Sequence, residues 1–406
     1  MSKILLFASL SIFISACILV SCIETPKEQN DNRVYFEINP ENRQIILPVQ
    51  LNDSISANLW FDTGGQFVLD AAFFTAHPSL VPNSEPVIDP KFGSAWSFYR
   101  DSAWVYYDDI PKMKLGKFEL EEFSKMTAFS WKQHYNTEDS DGMFNIPAND
   151  TTNVWEFNFD LNYVEIHTEN FEMPENSFVT PLLPNYYVQL PLKVRFADGD
   201  TINLNHHFFV DLGMPYDIVL MHRAEELEFF NRKEDAVWTE TSSPGGYHRH
   251  YTVDAVLFDD FPLDSVRIYT FDHPNDISAN YLVGLNFLKR FNLFFDMNKR
   301  EVGLQPIENY QRVVNPNHRR FHFSTYLTPD GRWKVRKVAD YLGNYYKEAG
   351  LKEEDELITV NDIPMKDIRN KGNPEIIYDT LIFDILRRDV PMKIVVPIDK
   401  NEVQGD

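Results

Sequence analysis

From residue 34 to residue 305 the chain runs in short apolar and alternating segments, the pattern of half-buried strands. Val34-Tyr35-Phe36-Glu37-Ile38 alternates, and Ile45-Ile46-Leu47-Pro48-Val49 is mainly apolar. Tyr187-Val188-Gln189-Leu190 and Phe208-Phe209-Val210 are further β-type runs, and Asp198-Gly199-Asp200 marks a turn. The best helical pattern here covers only residues 222–232. So long a region with so little helix predicts an all-β body built as barrels or sandwiches.

Two motifs recur in the same order. Leu59-Trp60-Phe61-Asp62-Thr63-Gly64 is matched by Phe208-Phe209-Val210-Asp211-Leu212-Gly213. Trp155-Glu156-Phe157-Asn158-Phe159-Asp160-Leu161-Asn162 is matched by Phe291-Asn292-Leu293-Phe294-Phe295-Asp296-Met297-Asn298. The paired aspartates stand 98 residues apart (62 to 160) and 85 apart (211 to 296). An ordered repeat of two motifs predicts two similar lobes, 34–170 and 176–308.

A third unit is expected over 318–400. Residues 321–326 and 333–338 read as strands, 340–348 as a short helix, 374–388 as a helical stretch and 392–398 as a closing strand. Between them lies Ala349-Gly350-Leu351-Lys352-Glu353-Glu354-Asp355-Glu356-Leu357-Ile358-Thr359-Val360-Asn361-Asp362. Here Gly350 ends a helix, an acidic turn reverses the chain, and Leu357, Ile358 and Val360 open a strand. The run resembles that of a bacterial PDZ domain, a small α+β fold. That resemblance implies a peptide tail or partner bound by strand addition.

Length and composition narrow the functional classes. At 406 residues the chain is too long for one ordinary core, and 43% apolar residues can fill several. Aromatic residues at 14% suit strands and clefts. The 38 Lys and Arg against 61 Asp and Glu argue against a nucleic-acid partner, which needs a basic surface. Both cysteines, Cys17 and Cys22, precede the body, so it contains neither a disulfide framework nor a thiolate metal site.

Residues 1–22 read as an export signal: Lys3, then an apolar run from Ile4 to Val20 too short for a confident transmembrane helix. Its end, Leu19-Val20-Ser21-Cys22, resembles a bacterial lipobox. That resemblance implies lipid on Cys22, 23–33 as a polar tether, and anchoring in the bacterial cell envelope. Ile23 supplies no inner-membrane retention cue, which favours the outer membrane, on either face. A plain secretory signal or an anchor helix are the alternatives.

The two aspartate turns carry the chemistry. An amide can be hydrolysed without metal or cofactor if one group takes a proton from water while another gives one to the carbonyl. Two carboxyls held close can do both, because they do not both ionise cheaply. Each must emerge from an apolar strand, with a glycine next but one so that the backbones approach. Phe61-Asp62-Thr63-Gly64 and Val210-Asp211-Leu212-Gly213 fit. They resemble the pepsin and retropepsin superfamily. The layout resembles bacterial aspartyl-protease lipoproteins that end in a PDZ domain. The resemblance implies two β-barrel lobes, Asp62 and Asp211 as the catalytic dyad, and a peptide or protein substrate.

The same superfamily packs a second apolar-then-glycine motif behind each turn. Tyr281-Leu282-Val283-Gly284 keeps it; Asp141-Gly142-Met143-Phe144-Asn145 places Asn145 where glycine is usual. Asparagine is the residue next best suited to the left-handed region. Leu212 departs further, since a Thr or Ser there normally bonds across the lobes as Thr63 can. A non-catalytic, peptide-binding lipoprotein that kept the fold is therefore the rival expectation. An adaptor working through its C-terminal unit is a third.

The loops carrying Trp96 and Tyr99, and Gly245, Gly246 and Tyr247, fall where flaps over a cleft would lie; ordinary hairpin loops are the alternative. His206, His207, His248 and His250 suggest zinc, but no H-E-x-x-H and no available cysteine support a metal site. No G-x-S-x-G elbow or phosphate loop occurs.

Overall fold

A computed structural model describes residues 32–38, 44–92, 101–132, 139–168, 170–233, 237–240, 247–271, 280–308, 310, 323–328, 331–338, 345–365, 367–368 and 378–398. They are mostly β. Val34–Tyr35, Glu37–Ile38, Ile45–Leu51, Tyr187–Arg195 and Thr201–Asp211 are strands where the sequence pattern predicts them. Helices are short: only Leu227–Asn231 of the 222–232 stretch is helical, and Ala71–Ala76 and Leu285–Leu288 are further helices that the pattern does not predict.

Each lobe contains the same run of five strands. In lobe 1 it is Met126–Phe129, Val68–Asp70, Gly142–Phe144, Ile55–Phe61 and Ile45–Leu51. In lobe 2 it is Phe261–Thr270, Ile218–Leu220, Tyr281–Gly284, Thr201–Asp211 and Tyr187–Arg195. Along both, neighbours pair parallel, antiparallel, parallel and antiparallel. Tyr247–Leu257 then pairs with both Phe261–Thr270 and Tyr187–Arg195, which closes lobe 2 into a six-stranded barrel.

The second repeat joins the lobes. Val154–Asn158 and Phe291–Asp296 pair antiparallel, with Phe157 opposite Leu293, its own equivalent in the repeat. A pseudo-two-fold axis therefore passes beside that pair. Each strand continues into a hairpin, with Tyr163–His167 and Glu301–Pro306 respectively, so one sheet spans both lobes. The Phe61 ring sits 4.6 Å from that of Phe157, which seats the strand leading to Asp62 on this sheet. The core beneath is aromatic, with Trp155, Phe144, Phe208 and Phe287 wholly buried.

The C-terminal unit has its own core around Phe323, Val335, Tyr346, Leu357 and Phe383. Its six strands form one antiparallel sheet. The helix is Tyr345–Glu348, and Gly350 follows it at φ +94° with its amide bonded to Lys347 O, as the sequence predicts. The helical stretch expected over 374–388 is corrected over Thr380–Arg387, which is a strand; residues 374–377 lie outside the described residues. Leu381, Phe383 and Ile385 alternate into the core, and a turn with Arg388 and Asp389 at positive φ returns the chain as Val390–Pro397. The strand's period of two outweighs helix propensity here, and Arg-Asp is a weak turn signal beside Asn-Gly.

Candidate active site

Asp62 follows the strand Ile55–Phe61, and Asp211 ends the strand Thr201–Asp211. In lobe 1 the strand Gly142–Phe144 lies parallel to the first, with Phe144 opposite Phe61. One step further in that register, Asn145 stands beside Asp62 as Gly284 stands beside Asp211. Asn145 thus occupies the position of Gly284. It contributes a bond of its own, from Nδ2 to Gly65 O at 2.9 Å. Gly284 has no such freedom: a Cβ there would lie 2.5 Å from Tyr216 O and 2.6 Å from Met214 O.

The two turns meet. A Cβ on Gly213 would come 2.2 Å from Asp62 Cγ, and one on Gly64 would come 3.3 Å from Asp211 Cγ. Each of the two carboxyls bears directly on the ionisation of the other. Asp211 is buried and Asp62 half-buried. Gly64 N donates to Asp62 Oδ1 at 2.7 Å. Met214 N donates to Asp211 O at 3.2 Å, and the Gly213 and Met214 amides help to lower the carboxyl values.

Burial pushes the Asp62 carboxyl above its ordinary value, opposed by the Gly64 amide, the neighbouring Asp211 and the Gly213 amide. Burial together with the neighbouring Asp62 charge pushes Asp211 much further. The pair therefore holds a shared proton to higher pH than a lone carboxyl would, with Asp211 the more strongly raised of the two.

Thr63 braces the turns from lobe 1. Its Oγ1 donates to Val210 O at 2.7 Å and accepts from Leu212 N at 3.0 Å. Leu212 returns no such bond; its side chain is fully buried in the main core. The hydroxyl brace is one-sided, as the sequence predicts.

Alternation along each strand puts Trp60 on the same face as Asp62, and Phe209 on the same face as Asp211. Trp60 packs with Trp131, Phe129 and Met143; Phe209 packs against Met214, Tyr269 and Leu282. Both clusters are separate from the main core, and the Phe209 ring lies within 3.2 Å of a Cβ position on Gly64.

Trp96, Tyr99, Gly245 and Gly246 lie outside the described residues, as does Cys22. Tyr247 begins the strand Tyr247–Leu257, opposite Glu240. Strands Val87–Phe92 and Asp101–Tyr106 pair across the first of those loops, so each expected flap is carried by a hairpin. Sequence reasoning missed Gln44, a buried residue whose Nε2 donates to Gly213 O in the opposite lobe.

Of the histidines, His206 bonds Glu226 and stacks on Tyr281 at 4.0 Å, and His250 is buried near Tyr269. Among the described residues, the one group with metal-ligand spacing is Glu156, Glu165 and His167. Its atoms are already engaged: His167 with Glu156 at 2.8 Å, Tyr163 with Glu156 at 2.7 Å, and Arg33 with Glu165 at 3.0 Å.

No protein-family model matches the chain, and no curated protein does. Among solved structures it is distantly similar to the aspartic proteinase from Irpex lacteus. Identity is 12% and the TM-score 0.45, over 68% of this chain and 97% of that one.

Proposed function

We propose that the protein is an aspartic endopeptidase in which Asp62 and Asp211 activate water against a peptide bond. One observation carries this reading: two like turns from a duplicated strand pattern bring the carboxyls of Asp62 and Asp211 together, so closely that a Cβ on Gly213 would lie 2.2 Å from Asp62 Cγ. A purely structural turn has no need of a paired acid that costs stability to bury.

In this reading Asp62 is the base and takes a proton from water lying between the carboxyls. Asp211 gives its proton to the carbonyl oxygen as the water oxygen bonds to carbon. The tetrahedral diol then collapses: Asp62 gives its proton to the nitrogen as the C–N bond breaks, one diol hydroxyl gives its proton to Asp211, and the pair again holds one proton. The flanking aromatic clusters favour substrates with large apolar side chains on either side of the cut bond. Lipid on Cys22 would hold the enzyme on the envelope, and the 318–400 unit, PDZ-like in sequence, would capture a peptide tail. Among the described residues no helix is long and apolar enough to cross a membrane.

The test is peptide cleavage by the full chain from about pH 3 to about pH 8, beside Asp62→Ala. Cleavage should fall by at least about a thousandfold in the variant; undiminished cleavage removes Asp62 from the mechanism. The second reading, a peptide-binding protein without activity, is favoured by the missing hydroxyl at Leu212. It predicts peptide binding without cleavage at every pH, and weak affinity for a statine-type mimic of the tetrahedral diol.

A further inference from the structure

We infer that Gln44 is a positioning residue for the carboxyl pair, fixing the Asp211 turn from the opposite lobe where Leu212 leaves the brace one-sided. The inference rests on Asp62 and Asp211 being the reacting centre.

Gln44 immediately precedes the strand Ile45–Leu51, whose first residue pairs with Phe61. One step further in the same register, Gln44 stands beside Asp62. Its side chain nevertheless serves the other lobe, 169 residues away along the chain. A carbonyl only accepts, so the contact with Gly213 O assigns the amide NH2 end to that bond. Only 8% of Gln44 is exposed, and a buried amide without a partner is costly.

The peptide it holds matters. In a trans peptide the oxygen of Gly213 and the N–H of Met214 point in opposite directions from one rigid plane. Fixing that oxygen fixes the Met214 N–H, which donates to Asp211 O at 3.2 Å and helps to lower the Asp211 carboxyl's value. Accepting a bond at the oxygen also polarises the N–H, so it stabilises negative charge on the pair more strongly. Thr63 already holds Val210 O and Leu212 N. With Gln44 on Gly213, lobe 1 grips three residues around Asp211. Lobe 2 answers elsewhere, through Tyr186 OH to Ile146 O at 3.1 Å. After burial, the leading influences on either carboxyl are the other carboxyl and the turn amides, so the amides are a main control on charge.

The experiment compares the full chain with Gln44→Met, of similar length but without a donor, and with Gln44→Glu, a donor only when protonated. Two readouts are taken: peptide cleavage across pH, and carboxyl 13C titration of the aspartates, which needs no activity. In Gln44→Met we expect kcat to fall about tenfold with KM within about twofold. Both ionisations of the pair should move up by about half a pH unit. Gln44→Glu should recover part of kcat in acid and lose it near neutrality. Wild-type kcat with an unmoved titration in Gln44→Met overturns the inference, as does a lowered melting temperature with no titration change. If the wild type cleaves no peptide but the titration still moves, the positioning role stands and the peptidase reading falls.

Discussion

Thr63 makes two cross-lobe bonds through one oxygen, while its counterpart Leu212 is buried in the core and makes none through its side chain. That asymmetry is visible in the sequence, because Thr and Leu differ in whether they carry a hydroxyl at all. The unequal carboxyls are not visible there, since their difference comes from burial and from which amides face each one. Gln44 is equally hidden: no motif surrounds it, and its partner belongs to the other lobe. The raised value of Asp211 has a consequence for stability. Its folded value lies above its unfolded one, so folding favours the protonated group. That contribution is complete in acid and is lost as pH rises through the raised value. Asp211→Asn, which keeps the shape and removes the charge, should therefore melt a few degrees above wild type at neutral pH. The gap should close near pH 3, as followed by thermal unfolding across a pH series.

At the scale of elements, the parallel strand behind each aspartate sets how closely the turns approach. Gly284 faces two carbonyl oxygens across a gap that admits no methyl group, whereas Asn145 uses the same position to bond Gly65 O. Gly284→Ala should cost about 3 kcal/mol or more, because backbone rather than a flexible side chain must move. Asn145→Ala should cost about 1 kcal/mol, the net worth of one hydrogen bond. Denaturant titration of both variants measures the contrast, and equal losses would contradict it. The strands themselves were largely readable, since most alternate or run apolar between turn residues. The stretch 374–388 was not: Ile, Leu and Phe at close spacing fit either period, and only the pairing of Thr380–Arg387 with Val390–Pro397 decides between them. The repeat announced two lobes, but that its two aromatic copies pair with each other is a tertiary fact.

The described residues form a main core shared by both lobes, two smaller clusters beside the aspartate turns, and a separate core in the C-terminal unit. Removing residues 318–406 should therefore leave the carboxyl pair assembled. The truncated chain should keep at least about half of the wild-type rate on a short peptide, measured by the same cleavage assay, if the lobes alone carry the chemistry. Loss of that rate would favour the adaptor reading. The sheet that runs from Val154–Asn158 into Phe291–Asp296 has a consequence for how such a chain can evolve. Two identical copies meeting as a homodimer must carry every substitution twice, so any change at one turn appears at both. Covalent linkage across a common sheet removes that constraint. One half can lose its threonine to leucine while the other keeps it, and each can drift toward its own share of the work without the halves coming apart.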